Sequence, residues 1–129
     1  MILVATNYMT EADTESIWNT QLDTTRFGKI GVRIAEQLNF WINDDATSQI
    51  TDTKVTPILE QISEEILIGL LNKAKVEKDP YQFMAMQVTR TSRDILRNYG
   101  DILQKIRQVI SKEKIELVQR DLPSSTSDW

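Results

Sequence analysis

Residues 52–75, DTKVTPILEQISEEILIGLLNKAK, decide the fold of this chain. Thr56 is a typical helix cap, and Pro57 suits the first helical turn, where no amide donor is needed. The apolar residues that follow cover more than a third of a helix circumference: Ile58, Leu59, Ile62, Ile66, Leu67, Leu70, Leu71 and Ala74. Because so wide a surface requires burial on two sides, we expect this helix to be the central one. Glu64 and Glu65 mark its narrow solvent-facing strip.

Periodic apolar residues predict further helices on both sides of this one. A short helix follows Thr10, and a longer one spans residues 25–43. The face of the longer helix is defined by Phe27, Ile30, Ile34, Leu38 and Trp41. After a loop at residues 44–52, another helix begins with Asp79 as its cap and Pro80 as its first residue. A last helix covers residues 101–111.

Three glycines and one segment leave alternatives open. Gly28 and Gly31 each weaken a helix by about 1 kcal/mol relative to Ala, so they either permit a close helix crossing or are simply tolerated. Gly100 either ends or kinks the helix before it. Residues 114–118, KIELV, are ambiguous and fit a short strand. The predicted fold class is therefore all-α: a small single-domain bundle of four to five helices, with a short strand near 114–118 as an option.

The chain divides into a helical domain, residues 1–118, and an extended or disordered C-terminal tail, residues 119–129. The 129 residues are enough for one hydrophobic core. The tail holds Pro123, three serines and a threonine, which bury too little surface to fold by themselves. It is either disordered or ordered by a partner, and Leu122 and Trp129 are its candidate anchors.

The composition argues against the common kinds of catalytic and metal site. The chain has no cysteine and no histidine, which excludes disulfides, zinc-thiolate sites, thiol nucleophiles and the usual general base. Residues 43–54 alternate oxygen-bearing side chains as a calcium loop does, but Ser48 stands in place of the glycine and Lys54 in place of the glutamate. Glu60 and Glu64 lie one turn apart without a histidine near them. We expect no enzyme activity, no cofactor and no metal.

The charge is distributed unevenly along the chain. The net charge is −4, residues 1–25 hold acidic side chains and no lysine or arginine, and the region from 89 to 114 is mainly basic. Within it Arg90, Arg93 and Arg97 recur at steps of three and four, which places their guanidinium groups side by side on a helix. They can pair with acidic groups on a partner, contact nucleic acid directly, or form an ordinary solvated face. The acidic total and the few interleaved aromatics weigh against nucleic acid.

No run of the sequence approaches the ~20 apolar residues of a membrane span. MILVATNYM, residues 1–9, is too short and too interrupted for a signal peptide. We therefore expect a cytosolic protein without a membrane partner.

The order of the helices resembles a known family. IGVRIAEQLNFWIN, residues 30–43, followed by VTPILEQISEEILIGLLNKA, residues 55–74, looks like the core of the head-tail connector (adaptor) proteins of tailed bacteriophages and related viruses. NYMTEADTESIW, residues 7–18, is similar to that family's start. RNYGDILQKIRQVISKEKIELV, residues 97–118, resembles its closing helix and short apolar strand.

This resemblance implies a structural virion protein rather than an enzyme. It implies a homo-oligomer, a dodecameric ring that binds beneath the portal protein, extends the DNA channel and receives the tail or a stopper protein. Genomic DNA would pass through the ring without sequence-specific binding. The implied location is the neck of the virion, and the host cytoplasm during assembly. The alternative function is a small helical regulatory or nucleic-acid-binding protein that acts through Arg90, Arg93 and Arg97.

Overall fold

The computed structural model describes residues 7–9, 24–43 and 49–121, with residues 24–27 and 112–121 described by their backbone alone. These ranges are mostly helical and contain no strand, which confirms the all-α class for this part of the chain. The helices are α1 (Thr24–Asn43), α2 (Thr56–Ala74), α3 (Pro80–Leu96) and α4 (Gly100–Asp121), and a 3-10 turn (Arg97–Tyr99) joins the last two. The helix predicted after Thr10 lies outside the described residues.

Helix α1 buries the part of its predicted face that the structure describes, while the side chain of Phe27 lies outside the described residues. Ile30, Ile34, Leu38 and Ile42 recur every four residues and are all buried. Trp41 is partly buried and packs against the same core. The helix begins at Thr24, one residue before the predicted start.

The start of α2 corrects the predicted cap. Thr56 is already helical, and Val55 before it makes no side-chain cap hydrogen bond. Asp52 organises the turn instead, because its carboxylate accepts hydrogen bonds from the backbone amides of Lys54, at 2.7 Å, and Val55, at 3.2 Å. A short Asp side chain readily bonds the backbone two or three residues ahead of it, and here it satisfies those amides before the helix begins.

Among the described side chains, α2 supplies more buried ones than α1 or α3, but α3 is the helix that packs extensively against both of these helices. The expectation that α2 is central is therefore wrong in position, although its apolar stripe is buried as predicted. The buried positions of α2 are Leu59, Ile62, Ser63, Ile66, Leu67, Leu70, Leu71 and Ala74. A helix's share of the core follows from the size of its apolar face, whereas its position depends on how the chain folds back after it.

Helix α3 folds back antiparallel to α2 after a short turn. Lys73 Nζ donates a hydrogen bond to Thr91 Oγ1 at 3.3 Å. Further along, the Cδ1 atom of Ile95 lies 3.3 Å from the place where a β-carbon on Gly69 would stand. The absence of a side chain at Gly69 thus lets α3 approach closely. The predicted cap of α3 is confirmed, since Asp79 Oδ1 accepts the backbone amide of Gln82 at 3.1 Å.

The C-terminal helix is longer than its sequence suggests. Gly100 is helical and begins α4, and the change in geometry falls in the 3-10 turn just before it. Helix α4 then runs through residues 114–118, so the short strand proposed there is wrong, and it includes residues 119–121 of the predicted tail. Residues 112–121 contain only residues that a helix tolerates, without Gly or Pro, so the helix propagates through them. Leu122 and Trp129 lie outside the described residues.

Residues 7–9 dock against α1 and explain one of its glycines. The Asn7 side chain fills the space next to Gly31 where a β-carbon would stand. Tyr8 donates its hydroxyl hydrogen to Asn39 Oδ1 and accepts the backbone amide of Ile50 at 3.2 Å. Gly31 therefore permits close approach of the N-terminal segment rather than a helix crossing. Gly28 meets no described atom within 4 Å, which fits simple tolerance.

Candidate partner-binding surface

Three arginines form an exposed row on the side of α3 that faces away from the core. We call Arg90, Arg93 and Arg97 the arginine row. Arg90 and Arg93 belong to α3, and Arg97 begins the 3-10 turn. All three side chains are exposed, so the guanidinium groups stand next to one another on the outer surface.

The helix beneath this row is held in place by its opposite face. Met84, Val88 and Leu96 are almost completely buried there. The guanidinium of Arg33 on α1 donates to the backbone carbonyl of Ala85, which ties α3 to α1 from the side. Since α3 is fixed on two sides, the arginines need little backbone ordering to meet a partner.

Met86 extends the arginine row with an apolar group that sequence reasoning missed. Its side chain is 73% exposed and lies one helical turn before Arg90. The spacing of four residues between Met86 and Arg90 indicates that the two share a helix face. The apolar period of α3 includes Met84 but not Met86, so it does not single out Met86. Methionine is flexible and polarizable, and it is common at binding surfaces. We call Met86 together with the arginine row the basic face.

A second exposed surface lies on α2 and carries the opposite charge. Glu64 and Glu65 are there as predicted, Glu64 partly buried and Glu65 exposed, with Gln61 exposed one turn earlier. Ile68, which the sequence reading did not single out, is 46% exposed one turn after Glu64. We call Gln61, Glu64, Glu65 and Ile68 the acidic face.

One hydrogen bond orients the acidic face. The hydroxyl of Tyr99, in the 3-10 turn, donates to the carboxylate of Glu65. This hydrogen bond, with smaller contributions from burial and from the charge of Glu65, raises the pKa of Tyr99 above its usual value of 10.0. The phenol therefore stays protonated as a donor at neutral pH and holds the Glu65 side chain in place.

The buried polar cluster around Tyr8 stabilises the fold and belongs to neither the basic face nor the acidic face. Asn39 is fully buried on α1, and the hydroxyl of Tyr8 lies between its side-chain oxygen and the amide of Ile50. Burial raises the pKa of Tyr8, and its hydrogen bonds with Ile50 and Asn39 oppose that shift in part. The cluster fastens the N-terminal segment to α1 and to the chain that precedes α2.

Other candidate sites find no support in the described residues. Within the described ranges no three Asp or Glu side chains come together as a metal site would require. Asp45 and Thr47, two positions of the calcium-like loop, lie outside those ranges. None of the helices seen in residues 24–43 and 49–121 is both long and apolar enough to cross a membrane.

No protein-family model, no curated protein and no solved structure matches this chain.

Proposed function

We propose that the chain is a non-catalytic assembly subunit that binds an acidic protein surface through its arginine row. The observation that carries this proposal is the exposure of Arg90, Arg93 and Arg97 beside Met86 on a helix whose other face is fully engaged in the core. Arginine favours planar pairing with carboxylates, and an exposed aliphatic group among arginines favours a protein partner over a bare phosphate chain.

The specific form of the proposal is a head-tail connector of a tailed virus. It rests on the helix order of residues 30–43, 55–74 and 97–118, which resembles that family. In this role the complete chain is a bundle of four to five helices with a C-terminal tail, and copies of it assemble into a dodecameric ring. The ring binds beneath the portal protein, extends the DNA channel and receives the tail or stopper protein in the virion neck.

The experiment that tests this function pairs a charge reversal with a measurement of assembly. The variant Arg93→Glu with Arg97→Glu is expected to keep the helical fold, because both positions are exposed. Its binding to the acidic partner should fall, since attraction becomes repulsion. The readouts are the mass of the chain in solution and its copurification with virus particles.

A nucleic-acid-binding function predicts a different result in the same experiment. Oligonucleotide binding that depends on sequence and survives moderate salt would favour that alternative. Weak binding, lost at moderate salt and indifferent to sequence, is expected for the connector. Unchanged particle association of the double variant would contradict the proposed role of the arginine row.

A further inference from the structure

The acidic face and the basic face carry opposite charge, and each also has an exposed apolar side chain. On the acidic face, the exposed side chain of Ile68 is preceded by negative charges. On the basic face, the exposed side chain of Met86 is followed by positive charges. The two faces lie on different helices of the same molecule, so one copy offers both halves of a contact. This pairing of charge and apolar surface favours a second copy of the chain as the partner.

We propose that the acidic face on α2 of one copy docks on the basic face on α3 of a neighbouring copy, with the two helices antiparallel and Ile68 against Met86. The inference rests on the proposed assembly function and names the contact between adjacent subunits. Because two different faces meet, the contact is heterologous and can repeat from copy to copy until a ring closes.

The spacing of the charged residues selects the antiparallel register. Glu64 lies four residues before Ile68, and Arg90 lies four residues after Met86. When the helices run in opposite directions, Glu64 meets Arg90 about 6 Å along the axis from the aliphatic pair. One turn further, Gln61 meets Arg93, and its amide oxygen can accept from the guanidinium.

The parallel arrangement is disfavoured by the same positions. With Ile68 again against Met86, Arg90 would face Asn72, and Arg93 would face Lys75. Glu64 would then meet the neutral Gln82 instead of an arginine. A parallel contact thus replaces an ion pair with a repulsion between like charges.

Glu65 adds negative charge at the edge of this contact. Its carboxylate already accepts the hydroxyl of Tyr99, but a carboxylate offers about four acceptor positions, so it keeps capacity for a guanidinium. Tyr99 holds the group in a fixed orientation, which reduces the entropy lost when a neighbour binds. Each contact relies on charges that are exposed or only partly buried, and should therefore weaken as the salt concentration rises.

Cross-linking tests the register directly, because the chain contains no cysteine. The single variants Ile68→Cys and Met86→Cys are mixed and oxidised mildly. The mixture should form a disulfide-linked dimer at least ~10-fold faster than either variant alone, since docking holds the two thiols at a high effective concentration. A matched control mixes Ile68→Cys with Val109→Cys, which is exposed on α4 at 42%.

A charge exchange tests the two faces separately. One variant carries Gln61→Arg and Glu64→Arg, and the other carries Arg90→Glu and Arg93→Glu. Each variant alone should form smaller assemblies than the native chain, measured as a lower mass in solution, while circular dichroism still shows the helical fold. Mixed together, they should assemble again as alternating copies, because the two native faces pair with each other and so do the two reversed faces. All four substitutions in one chain should restore growth, since both faces are reversed.

The outcomes separate this inference from the proposed function. If the native chain assembles but the control pair cross-links as fast as the Ile68 and Met86 pair, the inference is overturned and the assembly role stands. If the cross-link forms but the chain never copurifies with virus particles, the contact between copies is supported and the connector role is contradicted. A native chain that stays monomeric, together with cysteine variants that do not cross-link, overturns both.

Discussion

The side chain of Asn7 occupies the place where a β-carbon on Gly31 would stand. The N-terminal segment therefore reaches α1 only because position 31 has no side chain. Gly28, one turn earlier, has no described neighbour within 4 Å and imposes no such requirement. Two glycines on one helix thus have different physical roles.

Gly31→Ala should destabilise the protein by about 1–3 kcal/mol, because the new methyl group displaces Asn7 and strains the docking of residues 7–9. Gly28→Ala is the matched control and should be neutral or raise the free energy of unfolding by up to about 1 kcal/mol, since Ala favours helix. Urea denaturation of both variants checks this. Equal effects at the two positions would contradict the steric role of Gly31.

Ile66→Asp or Leu70→Asp should prevent folding. Both side chains are fully buried in α2, and a charge without a partner in a core costs several kcal/mol against a typical total stability of roughly 5–15 kcal/mol. Ile68→Asp on the same helix is the control and should leave the circular dichroism and the cooperative melt intact, because that side chain is 46% exposed. A cooperative melt of the Leu70 variant near the parent temperature would refute the burial of that face.

Ser92→Ala should stabilise the protein, by about 1 kcal/mol. The hydroxyl oxygens of Ser63 and Ser92 are buried and have no hydrogen-bond partner among the described residues, and removing such a group relieves its desolvation cost. Ser111→Ala, at an exposed position of α4, should change the free energy of unfolding by less than about 0.5 kcal/mol. A loss of stability in Ser92→Ala would mean that its hydroxyl is satisfied after all.

The protein should lose stability as the pH rises above 10. Burial raises the pKa of Tyr8, and the hydrogen bond to Glu65 raises that of Tyr99, both from a usual value of 10.0. The native state then holds these protons more tightly than the unfolded chain, so their contribution is complete below pH 10 and disappears as the pH passes the native values. Tyr8→Phe should flatten this dependence in urea titrations from about pH 8 to about pH 11. A Tyr8→Phe curve parallel to that of the parent would exclude Tyr8 as a source.

Deleting residues 122–129 should preserve the helical fold and impair assembly. The segment carries Leu122 and Trp129, and an aromatic side chain offers large burial to a neighbouring subunit or portal. Circular dichroism and thermal melting check the fold, and particle association checks the assembly. Truncated protein that assembles as well as the complete chain would refute the anchoring role, while a truncated chain that fails to fold would place Trp129 in its own domain.

Several features of the described residues follow from the sequence alone. The steps of three and four from Ile30 to Trp41 and from Leu59 to Leu71 determine helices and their buried faces, because the helical period is a local property. Asp79 and Pro80 determine the start of α3 for the same reason. The sequence also indicates that Arg90, Arg93 and Arg97 share one face, since only the helical repeat is needed to place them together.

Tertiary structure decided the features that depend on what surrounds a residue. Two differences from the sequence prediction are local instead: Asp52 rather than Thr56 organises the entry to α2, and residues 114–118 continue the helix that precedes them. Ile68 and Met86 read as ordinary apolar residues, and the packing of the helices shows that they face outward. The requirement for glycine at position 31 arises from contact with Asn7, 24 residues away in the sequence. The periodicity of the sequence does not predict such distant contacts, because they form only when the chain folds back on itself.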